Sequence, residues 1–228
     1  MMKRAIMLAI VALFAVGTAA SAVLVSTTIY GAGNANFVGA PLVPFDPVAQ
    51  NVFMDDQVPP QPINIAGGCL YRWDAAGQGW VIYGIGTYGG ILLGDGQVVT
   101  NNLDNNIVWQ YDGAPDGLPD AGNVMTDMWI SLPQSGGGDG GATLFGTPFN
   151  HKVLLANCLV TDGTQTVSFL QAATNGWVDA WVWGYDNEFQ GWVNVSTPNG
   201  VLEPFKGYSI TSYVDNLALI VQAYPVIP

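Results

Sequence analysis

One stretch of this chain is written twice, and the duplication constrains the fold more than any motif does. Asp74 and Gln78-Gly79-Trp80-Val81 return with unchanged internal spacing as Asp186 and Gln190-Gly191-Trp192-Val193, an offset of 112. Gly96, Thr100 and Asp104-Asn105 return as Gly207, Thr211 and Asp215-Asn216 at an offset of 111, and Pro41 and Phe53 match Pro133 and Phe145 at an offset of 92. On this reading residues 38–112 correspond to 130–223, and the second copy gains about 20 residues between Phe145 and Asp186. A single duplicated structural unit is the expectation. The copies share aromatic, glycine and turn positions and few acids or bases, which is the pattern of an architecture and not of a reactive centre.

Within each copy, apolar and polar residues alternate with period two or form short apolar runs stopped by Gly, Asn, Asp or Pro, as strands do. Strands are predicted near 37–43, 69–74, 79–83, 97–101 and 107–111, and again near 128–132, 181–185, 191–195, 208–212 and 217–223. The links Ala75-Ala76-Gly77 and Asn187-Glu188-Phe189 are short enough for hairpins. The predicted fold class is all-β: two tandem, related antiparallel β-sandwich-like units, with one short helix in the second. That helix is placed at 168–174, because Ser168-Phe169-Leu170-Gln171 has the form of a capping box and Asn175-Gly176 supplies a left-handed stop. Unit 1 is assigned to 37–115, a Gly, Pro and Asp-rich linker to 116–127, and unit 2 to 128–228 with an insert near 146–176. Residues 135–141 read as a flexible loop. Residues 23–36 form an extension whose strand, 23–30, has no counterpart before copy two and must pair in its own sheet or along a neighbour's edge.

Met1-Met2-Lys3-Arg4, the uncharged apolar run 5–16 and Ala20-Ser21-Ala22 together have the form of a secretory signal peptide. Residues 1–22 are therefore read as removed and the chain as secreted or displayed at a cell surface. A second reading keeps the segment as the apolar helix of a pilin-like subunit, since no charge occurs over 5–30, although Ala9 stands where bacterial pilins carry a glutamate. Export leaves Arg72, Lys152 and Lys206 against 17 acids, a net charge of −14. Three scattered cations cannot build the basic surface that nucleic acid or anionic lipid requires. Export also allows Cys69 and Cys158 to pair, joining copy one to the insert; two buried free thiols are the alternative.

Reactive chemistry finds little support in the residues. Gly84-Ile85-Gly86-Thr87-Tyr88-Gly89 matches a dinucleotide fingerprint literally, but Gly90, Gly94, Asp95 and Gly96 follow where a helix must open, so the glycines read as loop positions. His151 is the only histidine, and a pairing with Cys158 lacks a third orienting group. Glu188 and Glu203 are the only glutamates, and most aspartates occupy turns. No cofactor is expected; the open alternative is calcium held by Asp112, Asp116 and Asp120, four apart in the linker region. Strand alternation places Trp181, Trp183 and Tyr185 on one face; the ladder is expected to fill the core, with a platform for sugar rings, through exposure of Trp181 or Trp183, as the alternative. Trp80 and Trp192, repeated in both copies, are expected to be core anchors. Asn194-Val195-Ser196 is a glycosylation sequon that has meaning only in a eukaryote.

Several phrases of copy two stand out together: Trp129-Ile130-Ser131-Leu132-Pro133, Phe169-Leu170-Gln171-Ala172-Ala173-Thr174-Asn175-Gly176-Trp177, Trp183-Gly184-Tyr185-Asp186, Pro204-Phe205-Lys206-Gly207-Tyr208 and Asn216-Leu217-Ala218-Leu219-Ile220. The set resembles a poorly characterised β-repeat of secreted and cell-surface bacterial proteins. Copy one fits more loosely, with Gly94-Asp95-Gly96-Gln97 in place of the aromatic stretch. The resemblance implies bacterial export and a structural or adhesive role, and it carries over no catalytic residue. The expected function is non-enzymatic: a coat, extracellular filament subunit or adhesin that associates with itself or with cell-surface components through β edges or strand 23–30. The alternative is a carbohydrate-binding module that uses exposed tryptophans on polysaccharide.

Overall fold

The computed structural model describes residues 23–54, 68–114, 126–133 and 139–224. Every strand pairing among them is antiparallel, and the α-helices are two short ones, α1 (Ala49–Met54) and α2 (Phe169–Thr174). The chain is all-β. In unit 1 a four-stranded sheet runs in the order β2 (Asn34–Gly39), β6 (Gly96–Asn101), β4 (Leu70–Asp74), β5 (Gly79–Ile82). Unit 2 repeats the order with β9 (Gly141–Gly146), β16 (Gly207–Ser212), β13 (Trp181–Asp186) and β14 (Gly191–Ser196). Each sheet shares a core with a second sheet of its unit. In unit 1 that sheet is β1 (Val23–Ile29), β7 (Ile107–Ala114) and β3 (Val43–Pro44). In unit 2 it is β12 (Thr166–Ser168), β11 (Leu159–Thr161), β17 (Leu217–Val221) and β8 (Met128–Leu132).

The cores follow strand alternation. Val38, Leu70 and Val99 meet Ile29, Ile107 and Trp109 in unit 1; Phe145, Val182 and Ile210 meet Leu132, Val160 and Leu219 in unit 2, all essentially without solvent contact. The second helix starts as the capping pattern predicts, with the Ser168 hydroxyl accepting from the Gln171 N–H at 3.2 Å, and Gly176 (φ 72°) stops it. Helix α1 has no counterpart in the predicted elements. Asp46 organises its start, accepting from Val48 N at 3.0 Å and from Asn51 Nδ2 at 2.7 Å, and Val52 and Phe53 bury its inner face.

Three sequence expectations are corrected. The N-terminal strand does have a counterpart before copy two: β1 pairs within its own sheet, with β7, through seven registered residues from Val23 opposite Gly113 to Ile29 opposite Ile107. It occupies the place that β8 takes beside β17, so the repeat begins at β1 and not at residue 37. Next, Phe53 is not the equivalent of Phe145, because Phe53 lies in α1 while Phe145 lies in β9 and pairs with Tyr208. The partner of β9 is β2, so Ala35 corresponds to Ala142 and Val38 to Phe145 at an offset of 107. The step from 107 to 112 leaves only about 5 extra residues before β13, in place of the 20 inferred from the Pro41 and Phe53 matches. Last, Gly141 opens a strand and does not belong to a loop.

The two units meet as a reciprocal pair. Val38 bridges to Lys206 and Phe145 to Asp95; Gly39 N–H donates to Phe205 O at 2.9 Å and Gly146 N–H to Gly94 O at 2.8 Å. Each contact recurs with partners exchanged, which is the signature of two-fold symmetry, here internal to one chain. Gly94 and Phe205 hold equivalent left-handed conformations, φ 75° and 64°. At the centre Gly39 and Gly146 touch backbone to backbone: a Cβ on Gly39 would lie 2.4 Å from Gly146 Cα, and one on Gly146 2.3 Å from Gly39 Cα. Phe205 reaches across to stand edge-on against Trp109 of the first core, 5.7 Å between rings.

Residues 1–22, expected to be a signal peptide or the apolar helix of a pilin-like subunit, lie outside the described residues, as do Asp116, Asp120 and the side chain of Asp112. No helix among the described residues is long and apolar enough to cross a membrane.

Candidate functional site

The repeated signature Asp-x-x-x-Gln-Gly-Trp is a hairpin turn with a tool at its end. Asp74 and Asp186 brace the turns, their Oδ1 atoms accepting from Ala76 N at 3.1 Å and from Glu188 N at 3.0 Å. The chain then passes through left-handed Gln78 (φ 49°) and Gln190 (φ 53°), which swings both amides onto the opposite unit. Gln78 accepts from Ala142 N at 2.8 Å and donates to Ala142 O at 2.9 Å. Gln190 does the same to Ala35, at 3.1 and 3.0 Å. A primary amide has one acceptor and two donors, so it pairs with a strand edge as a peptide group would. Asn187 adds a second such clamp, accepting from Phe37 N at 2.8 Å and donating to Phe37 O at 3.3 Å, while Trp73 Nε1 donates to Ala142 O at 2.8 Å. The edges of β2 and β9 are thus occupied, a standard hazard of exposed strands removed by side chains.

The tryptophans of the signature are not core anchors. Trp80 and Trp192 are each 48% exposed. The reason is strand parity: Val182 and Gly184 face the core, so Trp181, Trp183 and Tyr185 face outward, and Trp192 lies directly opposite Tyr185 on that outer face. Trp80 lies opposite Trp73 in the same way. Both pairs have the same geometry, 5.1 Å between ring centres with planes crossed at 75° for Trp73 and Trp80 and at 80° for Tyr185 and Trp192. These crossed contacts hold the rings in place while Trp80 and Trp192 stay half exposed.

Two open grooves flank these rings. One, about 340 Å³, is lined by Ala35, Phe37, Tyr71, Trp80, Ile82 and Val98; the other, about 260 Å³, by Trp183, Trp192 and Ser209. At the offsets of the repeat, Trp80 corresponds to Trp192, Tyr71 to Trp183 and Val98 to Ser209. Phe37 joins the two: it lines the first groove and packs on Trp192 at 4.8 Å and on Tyr185 at 4.4 Å. Of the predicted platform, Trp183 lines a groove, Tyr185 is committed to Phe37 and Trp192, and Trp181 is partly buried edge-on to Trp183 at 6.2 Å. Sequence reasoning singled out one strand and missed the hairpin partner, Trp192, and its twin, Trp80.

The remaining reactive groups are held in structural roles. Cys69 and Cys158 are both buried free thiols, so the disulfide is not formed. Asn102 Nδ2 donates to Cys69 Sγ at 3.0 Å, and burial pushes the Cys158 thiol up to about 12. Both are expected to resist a water-soluble disulfide reagent at neutral pH until the chain is unfolded, when two thiols react per chain; a mass change on reduction of the native protein would overturn this. His151 stacks on Phe149, ring centres 5.1 Å apart, and desolvation lowers its pKa. Cys158 turns instead toward Leu154 O at 3.8 Å. Arg72 pins the glycine-rich 84–90 loop, pairing with Asp95 at 3.3 Å, donating to Gly90 O and lying 5.1 Å over the Tyr88 ring. Glu203 pairs with Lys206, and Glu188 accepts from the Tyr30 hydroxyl at 3.4 Å. Among the described residues no three His, Cys, Asp or Glu side chains converge as a metal site. No family model matches the chain, and no curated protein or solved structure is similar to it.

Proposed function

We propose that the chain is an exported, non-catalytic adhesive protein whose working surface is the pair of equivalent aromatic grooves on its two four-stranded sheets. The observation that carries this reading is the matched exposure of Trp80 and Trp192 in one ring geometry. A tryptophan offers up to about 250 Å² of burial, so leaving half of it in water forgoes roughly 3 kcal/mol at about 25 cal/mol per Å². Exposed aromatic surface gathered into grooves of this kind marks an interaction site. Donation of 23–30 as a free strand is disfavoured, because one edge of β1 is paired with β7 along seven residues, and the edges of β2 and β9 carry side-chain clamps.

Co-sedimentation with cell envelopes of the producing organism tests the reading. The double variant Trp80→Ala/Trp192→Ala is expected to lose at least about ten-fold in retained protein while keeping the parent's circular dichroism. Equal retention of parent and double variant would sink it.

A further inference from the structure

Resting on the adhesive reading, we infer that the two aromatic grooves bind a neutral polysaccharide, with Trp80 and Trp192 each a stacking platform for a sugar ring. Three observations select this occupant. Both rings cross two aromatic neighbours at steep angles and stay 48% exposed, which leaves ring surface to accept the C–H face of a pyranose, an electron-rich surface meeting weakly positive hydrogens. The internal repeat gives each unit one such groove, and Phe37, which lines the first, also packs on Trp192 of the second. Two equivalent grooves in one molecule suit a polymer that offers the same ring many times over.

The third observation is charge. Among the described residues no Asp, Glu, Lys, Arg or His lines either groove, and the whole chain carries a formal charge of −12. An anionic polymer finds no cation here and meets a repulsive field, while a cationic protein partner finds no carboxylate to order it on the face. What borders the rings is neutral and polar: Ser209 in the second groove, and Asn194, paired opposite Trp183. Hydroxyl and amide groups of this kind hydrogen-bond sugar hydroxyls without specifying charge. A partner with exposed flat rings, such as an equatorially linked glucan, mannan or chitin chain, fits the face; a heavily branched one does not.

Depletion on microcrystalline cellulose, chitin and insoluble mannan, with polygalacturonate-coated beads as the anionic arm, tests the inference on the full chain. Retention is expected on at least one neutral polymer and not on the anionic one. Trp80→Ala and Trp192→Ala are each expected to weaken retention about ten-fold and the pair to abolish it. Phe189→Ala removes an apolar ring that is 80% exposed but lines neither groove, and is expected to change nothing.

Failure of the parent protein to bind any of the three neutral polymers overturns the inference, as does equal loss with Phe189→Ala or equal retention on polygalacturonate. Concentration-dependent dimerisation in analytical ultracentrifugation that disappears in the double variant would assign the face to a second copy, and also overturns it. The two readings separate cleanly. If the double variant loses envelope adherence while no sugar polymer holds the parent, the adhesive reading survives and the saccharide inference falls.

Discussion

Gly39→Ala and Gly146→Ala are each expected to lower stability by about 3 kcal/mol or more, at the severe end of overpacking, and the double substitution to prevent folding. The added methyl would sit 2.4 or 2.3 Å from a backbone Cα of the other unit, where no rotamer change can make room. Relief requires the two sheets to separate, and the bridges Val38 to Lys206 and Phe145 to Asp95 lie beside the contact. Separation would therefore loosen the hydrogen bonds at Gly39 and Gly146 as well. For a domain whose net stability is roughly 5 to 15 kcal/mol, one such change is a large fraction of the whole. Gly191→Ala is the control. Its nearest atom is the Phe189 carbonyl oxygen at 4.0 Å, so the urea midpoint is expected to move little. Equal midpoints for Gly146→Ala and Gly191→Ala would refute the close sheet contact.

Gln190→Ala is expected to cost about 1 to 2 kcal/mol, the penalty of leaving a partly buried backbone N–H and C=O without partners, and Gln78→Ala a similar amount at Ala142. The consequence exceeds the energy, because the substitutions uncover the edges of β2 and β9. The double variant Gln78→Ala/Gln190→Ala is expected to aggregate on partial heating where the parent refolds. Gln190→Glu separates a clamp from simple packing. A carboxylate keeps the acceptor for Ala35 N–H but has no donor for Ala35 O, whereas the protonated acid has both. The folded-state pKa of that carboxyl is therefore raised above its unfolded value of about 4.3. Its contribution is complete below that value and is lost as pH rises through the folded pKa, so the variant should be closest to the parent in acid. A Gln190→Glu deficit independent of pH would show that the amide does not act as a strand mimic.

Much of the fold was legible in the residues because hairpins are local. Asp74 to Trp80 and Asp186 to Trp192 carry their turn chemistry within seven residues, and both form as hairpins. Ser168 and Gly176 likewise bracket a helix whose ends are set by contacts at sequence separations of a few residues. The strand β2, with its counterpart β9, is misplaced in that reading for the opposite reason. Its only signal is where it pairs, and β2 and β9 find β6 and β16 some sixty residues away along the chain. The match of Pro41 and Phe53 to Pro133 and Phe145 offered a plausible but wrong frame.

The candidate site was half legible. Trp183 and Tyr185 were placed on a common face correctly, since alternation along a strand fixes which residues travel together. Trp80 and Trp192 were assigned inward because large aromatic rings usually fill cores. The cores here are filled by other groups, Trp109 in unit 1 and Phe145, Phe149 and Phe169 in unit 2 among them, and the hairpin rings are left outside.

The sequence by itself determined an all-β chain, its duplication, its hairpins, its capped helix and the grouping of side chains into two faces per strand. Only the tertiary structure decided which face met another layer, that β1 completes the first unit, and that the repeated glutamines close the edges of the opposite sheet. The physical reason is that period-two alternation has no sign: it divides a strand's residues into two sets, and the layer that buries one of them comes from a distant part of the chain.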